Sequence, residues 1–270
     1  MNKKIGIIGF GNMGSSIAEQ LKDNYQIFVF DKEAVKSKDA QGVCVCSDVV
    51  SLVKKSDVLI LAVKPQDFVG NGRDRSLLHE IKDHVKDKLI ISIAAGITTG
   101  YIEKALGAAR VVRAMPNMPL RVGSGITCLT QGKFASQEDF DFAKGLFEYM
   151  GETLCLEESM MNAATAVSGS GPAYVSHFID KDKSSFLKDF QAAAEALGFN
   201  PDDAKALVKS TYEGTISFLN KTKIAPQELI KQVTSKGGTT EAAFIVLNKG
   251  GSLVEAVKAA HARAKELSQM

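Results

Sequence analysis

A glycine pattern close to the start of the chain constrains its fold more than any other stretch. Residues 5–8, IGII, form a short apolar run suited to a strand buried in a parallel sheet. Gly9, Phe10, Gly11, Asn12, Met13 and Gly14 follow at once and put G-x-G-x-x-G at the strand's end. In such a unit the first glycine permits a tight turn and the second lets the backbone approach a pyrophosphate. The third lets helix and strand pack closely. A helix is predicted over about 12–22, with Ile17, Ala18 and Leu21 on its apolar face. Its free N–H groups and positive dipole end would face the pyrophosphate. Ile27, Phe28, Val29 and Phe30 make a second strand, and Asp31 ends it where an acid can accept from a ribose hydroxyl. The glycines alone are weak evidence. With a strand before, a helix after and the acid at the next strand's end, they read as a dinucleotide site.

Composition excludes several alternatives. The 270 residues suit one or two domains, and 45% apolar with 24% charged residues describes an ordinary globular chain. A formal charge of +2 gives no electrostatic case for nucleic acid or a membrane surface, so neither partner is expected. The longest aliphatic run, residues 58–63, is far short of the ~20 that span a bilayer. Met1, Asn2, Lys3 and Lys4 lead straight into the first strand and leave no room for a signal peptide. Of four scattered cysteines, Cys44 and Cys46 alone are close, as same-face strand positions rather than metal ligands. A cytoplasmic, reduced protein is the expectation. The four histidines (His79, His84, His177, His261) lie at no strand end or glycine turn, and no metal site is expected. No G-x-S-x-G or H-E-x-x-H motif is present. A bound cofactor therefore does the hard step, and hydride transfer fits a nicotinamide dinucleotide.

Strand and helix signals alternate through about residue 156. Residues 42–46 read as a strand, and Asp48 caps a helix with Val49, Leu52 and Val53 inside. Residues 58–63 form a buried strand ending at Ala62, Val63, Lys64 and Pro65, where the proline turns the chain. GNGRDR at 70–75 reads as a loop, and Leu77, Leu78, Ile81 and Val85 have helical spacing. A strand over 89–93 runs into the small residues Ala94, Ala95 and Gly96, which admit a ligand closely. A helix over 97–106, begun by Thr98 or Thr99, precedes a strand that starts at Val111 and breaks at Arg113. Pro116 and Pro119 around Asn117 read as a rigid turn rather than an element. Strand character resumes over 123–130, with a helix over 136–150 and a strand over 153–156. Some eight strands suffice for one doubly wound domain.

Beyond 157 no strand is predicted. Helices are expected over 160–167, interrupted at 168–172, and over 173–198 apart from the polar run 180–185. Further helices are expected over 201–219, 226–233, 241–247 and from Ser252 to about 267. The fold class is thus an α/β Rossmann-type doubly wound sheet over residues 1–158, followed by an all-helical domain over 159–270. The turn Ser235, Lys236, Gly237, Gly238, Thr239, Thr240 offers unencumbered backbone N–H groups at a helix N-terminus, suited to a substrate carboxylate.

GFGNMG (9–14), LAVKPQ (61–66), SIAAGIT (92–98), VVRAMPNMP (111–119), SGSGPAY (168–174) and VTSKGGTT (233–240) together resemble the pyrroline-5-carboxylate reductases over nearly the whole chain. The first piece is common to many Rossmann proteins, whereas the last two in this order are specific. The resemblance implies reduction of 1-pyrroline-5-carboxylate, a cyclic imino acid, to L-proline with NAD(P)H. It implies a cofactor held by the N-terminal half, a helical half that dimerises, and a substrate lying between them in a loop joining two late helices. Dimers of the family often assemble into larger rings. It places the Thr240 hydroxyl beside the ring nitrogen as the catalytic group, with a plain helix cap for 241–247 as its alternative role. Glu158, Ser235, Gly237, Gly238 and Thr239 join it at the substrate, and Asn117 joins the cofactor residues.

Three departures stand out. Met118 occupies a position where the family usually has threonine, and Asn162 one often held by aspartate. The interval from Tyr174 to Gly198 is longer than the common form, where relatives build dimer-forming helices. Asp31 would repel a 2′-phosphate, which favours NADH over NADPH, while Lys32 and Lys36 could offset it. Two other functions compete. One is an imine or β-hydroxyacid reductase acting on another small carboxylate, against which the lack of a catalytic Lys or His in the helical half argues. The other is a nucleotide-sensing homologue without turnover.

Overall fold

The protein was analysed as a computed structural model, which describes residues 3–33, 41–69 and 76–269. Its sheet has eight strands in the order β3-β2-β1-β4-β5-β6-β7-β8. They are β1 Ile5–Ile8, β2 Ile27–Phe30, β3 Cys44–Val45, β4 Val58–Leu61, β5 Leu89–Ser92, β6 Arg110–Pro116, β7 Gly125–Gln131 and β8 Gly151–Cys155. From β3 to β6 neighbouring strands pair in parallel. Continuous apolar runs make this possible: every residue of β1, β4 and β5 is buried, as in a sheet covered on both faces. In register, Ile8 pairs with Phe30 and Leu61, and Leu61 with Ser92, so four strands end level. Strand order reverses between β1 and β4, the switch point where open α/β sheets place ligands.

The chain forms two compact units, one of residues 1–114 with 129–149 and the other of 115–128 with 150–270. The boundaries fall inside β6 and β7, so neither unit is a single stretch of sequence. In the first unit Leu52, Leu59, Leu61, Ile81, Ile90 and Ile102 anchor the core beneath the helices. Apart from β8 and the ends of β6 and β7, the second unit is helical. Its helices are Met161–Ala164, Gly171–His177, Lys183–Glu195, Pro201–Thr222, Pro226–Val233, Thr239–Leu247 and Leu253–Leu267. Alanines 164, 166, 193, 204, 243, 256 and 260 let these helices approach closely around Tyr174, Phe186 and Phe190.

Several elements differ from the sequence reading. β6 does not break at Arg113 but runs to Pro116, and Met118–Val122 forms a 3₁₀ turn. A proline at the last strand residue removes no ladder bond the sheet needs, so it does not end the strand early. Pro65 opens a short helix, Pro65–Val69, because the first helical position needs no N–H. Residues 168–172 are not an interruption. A π-helical turn, Thr165–Gly169, passes directly into Gly171–His177. Gly171 serves packing there, since a Cβ would lie 2.4 Å from Thr211 Cγ2. The polar interval is shorter than expected: Asp182 accepts from the Ser185 N–H and starts the helix at Lys183. The helix from Pro201 extends to Thr222, and that after the glycine turn starts at Thr239. β3 keeps only Cys44–Val45, with Cys44 exposed and Cys46 buried. GNGRDR at 70–75 and Lys36 lie outside the described residues.

Caps behave as their residue types dictate. Ser252 and Glu255 form a reciprocal capping box, with Glu255 N–H on Ser252 Oγ at 3.2 Å and Ser252 N–H on Glu255 Oε2 at 2.7 Å. The Ser252 N–H, and after it the Ser252 hydroxyl, hold the Glu255 carboxyl below its ordinary value. That contribution is present above the unfolded value of about 4.3 and is lost as pH falls through the lower folded one. Ser252→Ala is expected to cost about 1 kcal/mol, read as a lower Tm at pH 7. The difference from wild type should shrink in acid, and an unchanged Tm at pH 7 would deny the cap its role.

Candidate active site

The glycine-rich turn sits at the carboxyl edge of β1, beside the switch point. Gly9 takes φ +97°, and a Cβ there would lie 2.7 Å from the Ala62 carbonyl. Gly14 allows the helix Asn12–Leu21 to pack on the turn, since its Cβ would fall 2.0 Å from Gly9 O. Gly11 differs: a Cβ there would meet nothing within 4 Å. The helix has Gly11 as its N-cap, with no capping side chain and no acid in its first turn. Its first N–H groups therefore remain for an anion at the positive end of the dipole. An uncapped helix beneath open space fits a pyrophosphate, so the residues present suit a dinucleotide.

The neighbouring strand ends complete this edge. Ala62, Val63, Lys64 and Pro65 follow β4, and the Ala62 N–H reaches Ile8 O at 2.8 Å. Ala94, Ala95 and Gly96 follow β5, with Ala94 buried and Gly96 at φ +78°. Asp31 folds back onto the turn. Its Oδ2 accepts from the Phe10 N–H at 2.6 Å and its Oδ1 from the Glu33 N–H at 2.8 Å. Each oxygen keeps a further lone pair, so the carboxylate can both brace the turn and accept from a ribose. Lys32 reaches Asp67 at 2.7 Å.

In the second unit, the turn at 235–240 is less open than its sequence implies. The Gly237 N–H donates to Glu241 Oε2 at 2.7 Å and the Gly238 N–H to Ser235 O at 3.0 Å. The Gly237 carbonyl accepts from Arg263 Nε at 2.7 Å. The two glycine N–H groups expected to be unencumbered are thus used to shape the turn, with Gly237 at φ +71°. Gly238 is the N-cap of Thr239–Leu247 and supplies no side chain. The first helical bond recorded is Ala242 N–H to Gly238 O at 3.2 Å, which leaves the N–H groups of Thr239, Thr240 and Glu241 as the donors of this helix end.

Thr240 is not a cap. It lies within the first turn, 4% exposed, and its hydroxyl donates to Ser170 Oγ at 3.1 Å. Thr239 Oγ1 lies 3.0 Å from the same oxygen. Ser170 was missed in the sequence reading, although SGSGPAY was among the distinctive pieces, because a serine between glycines carries no charge that would mark it. Ser235 and Lys236 are exposed, and Glu158 opens the 3₁₀ turn Glu158–Met160.

Asn117, expected at the cofactor, is 2% exposed within the second unit. Its Oδ1 accepts from the Ile126 N–H at 3.0 Å and its Nδ2 lies 3.4 Å from Ser168 Oγ. Met118 packs with Phe218 and Leu229, and Arg121 approaches its sulfur at 3.9 Å. Asn162 Nδ2 donates to Ser268 Oγ at 3.1 Å. Among the described residues no group of three His, Cys, Asp or Glu could hold a metal ion, and no helix is long and apolar enough to cross a membrane.

Comparisons with known proteins match both halves of the chain. A family described as NADP oxidoreductase coenzyme F420-dependent matches residues 4–96, and pyrroline-5-carboxylate reductase dimerisation matches residues 158–267. The pyrroline-5-carboxylate reductase of Aquifex aeolicus is 34% identical over 99% of this chain and 98% of its own. That of Arabidopsis thaliana is 35% identical over 98% and 96%. Among solved structures, a pyrroline-5-carboxylate reductase from Coxiella burnetii matches all of both chains with a TM-score of 0.65 and 33% identity. A pyrroline carboxylate reductase from Plasmodium falciparum, solved with NADP bound, gives 0.65 and 29% over 99% and 98%. With identity above one third sustained from end to end, the chain belongs to the pyrroline-5-carboxylate reductase family.

Proposed function

We propose that this protein reduces 1-pyrroline-5-carboxylate to L-proline with a nicotinamide dinucleotide, the last step of proline biosynthesis, and that it does so in the cytoplasm as a homodimer or larger homo-oligomer. One observation carries the reading: a buried hydroxyl, Thr240, lies in the same helical turn as the unclaimed N–H groups of Thr239 to Glu241. An anionic carboxylate and a ring nitrogen one bond beyond its α-carbon can be held together by such a turn. The dipole end attracts the carboxylate, and the hydroxyl meets the nitrogen. A bound nicotinamide supplies the hydride. The remaining work is orientation and electrostatic positioning, with Asn12, Met13 and Gly14 N–H groups on the pyrophosphate. Among the described residues no lysine or histidine bonds the Thr240 hydroxyl, which disfavours a β-hydroxyacid reductase.

The first test is turnover of racemic pyrroline carboxylate with NADH and NADPH. No turnover with either would sink the reading. Thr240→Ala should then lower kcat by roughly tenfold or more, from loss of one hydrogen bond to a charged partner, while dinucleotide affinity is kept. A variant with normal kcat would remove Thr240 from the chemistry.

NADH is the preferred cofactor in this proposal. Asp31 would face a 2′-phosphate with a carboxylate, and Lys32 is drawn away to Asp67. The kcat/KM ratio for the two cofactors should favour NADH in wild type and move toward NADPH in Asp31→Ser. A tenfold wild-type preference for NADPH, about 1.4 kcal/mol, would overturn the assignment. Light scattering at micromolar concentration is expected to give a dimer or a multiple of it, and a stable active monomer would refute the assembly.

A further inference from the structure

Four hydroxyls meet inside the helical unit, and Ser170 is their hub. Ser170 has no exposed surface, and neither does Tyr174. Its Oγ lies 3.0 Å from Thr239 Oγ1 and 3.1 Å from Thr240 Oγ1, and its side chain also bonds the Tyr174 phenol. Tyr174 in turn donates to the Ala166 carbonyl at 3.2 Å. The π-helical turn makes that carbonyl accessible. It sends the Ser170 N–H to Thr165 O at 3.0 Å, one residue further back than an α-helix would.

Proton counting fixes the direction of the whole chain. A carbonyl only accepts, so the single Tyr174 proton goes to Ala166. Ser170 therefore donates to Tyr174, which uses its only proton. Both threonines then donate to Ser170 and fill its two lone pairs. The other acceptor near Thr240, the Val233 carbonyl, is 3.5 Å away and weaker.

We propose that Ser170 is a positioning residue: by taking the Thr240 proton, it makes Thr240 present a lone pair to the substrate ring nitrogen. The site then selects the protonated iminium, an N–H donor, over the neutral imine. This rests on the proposed function and deepens it. When hydride forms the new C–H bond at the ring carbon, the π pair of C=N moves to nitrogen, which keeps its proton and becomes a neutral secondary amine. The further proton that makes the ammonium comes from water, and Thr240 transfers none.

Among the described residues no carboxylate or cation bonds the four hydroxyls. Burial pushes the Tyr174 phenol far above its ordinary value. Glu241 is held by the Gly237 N–H, and Arg263 by the Gly237 carbonyl and Glu266. His261 on the terminal helix is lowered by burial and by Lys265, which favours its neutral form. His177 is exposed, edge-on to Phe244. Lys209, Glu213, Glu228, Lys231 and Lys236 on the neighbouring elements are exposed to water.

The experiment compares wild type with Ser170→Ala, Ser170→Cys and Tyr174→Phe. It measures kcat and KM from pH 6.5 upward, and L-proline affinity by calorimetry without cofactor. Ser170→Ala should lower kcat roughly tenfold with KM for the dinucleotide unchanged, the loss of one hydrogen bond to a charged group. Its alkaline limb in kcat/KM should move to higher pH, because the freed Thr240 hydroxyl can donate to neutral imine. L-Proline should bind several-fold more weakly, Ser170→Cys should recover part of the loss, and Tyr174→Phe should shift the limb in the same direction. A Ser170→Ala enzyme with the wild-type pH profile, or with only a lowered Tm, would overturn the proposal. So would equal L-proline affinity in wild type and Ser170→Ala, whereas a wild type without turnover would overturn the functional reading instead.

Discussion

The register of β1 between β2 and β4 is the constraint on which the first unit depends. Parallel pairing of Ile8 with Phe30 and Leu61 makes the strands end level, so their following residues emerge on one edge. Shifting any one strand by a residue would exchange the side chains on its two faces and separate Gly9 from Ala62 and Asp31. Burial enforces the register, because the four residues of β1 and those of β4 are inside on both faces. The turn is then shaped by two backbone requirements, the close approach of Gly14 to Gly9 and the bonds from Asp31 to Phe10 and Glu33. The same carboxylate that the cofactor would meet thus also holds the turn that meets it.

The second unit solves a different problem. It buries many small and polar residues, among them Ser168, Ser170, Ser176, Thr211, Thr215 and Thr240. Several hydroxyls are satisfied locally by the carbonyl four residues back, as in Ser176 to Pro172 and Thr215 to Thr211. Ser170 and Thr240 instead satisfy each other across helices. That leaves the start of Thr239–Leu247 without a side-chain cap, where the proposed function puts the substrate carboxylate.

Legibility in the sequence followed the range of the forces involved. The β1–helix–β2 unit, the Asp48 and Ser252 caps and the absence of strands in the last hundred residues all rest on local pattern, and each is present. Prolines misled where position mattered more than identity: Pro65 begins a helix and Pro116 ends a strand, though both read as breaks. Gly171 read as an interruption because sequence cannot tell a turn glycine from one that admits Thr211. The Ser170–Thr240 contact joins residues far apart in the chain, and neither bears a charge that would mark it. The use of the Gly237 N–H was hidden for another reason, since it depends on Glu241 reaching back.

The π-helical turn Thr165–Gly169 has a consequence for how this region tolerates length change. Such a turn holds one residue more than an α-helix would over the same rise, and it is stable here because buried side chains on both sides fix its phase. Removing a single residue from it would restore α-helical winding, and the backbone would take back the Ala166 carbonyl that Tyr174 now uses. Tyr174 would lose its acceptor, and Ser170 the proton order that follows from it. The extra residue works as an insertion that frees a carbonyl, so a segment that looks replaceable by its small side chains is one whose residue count matters.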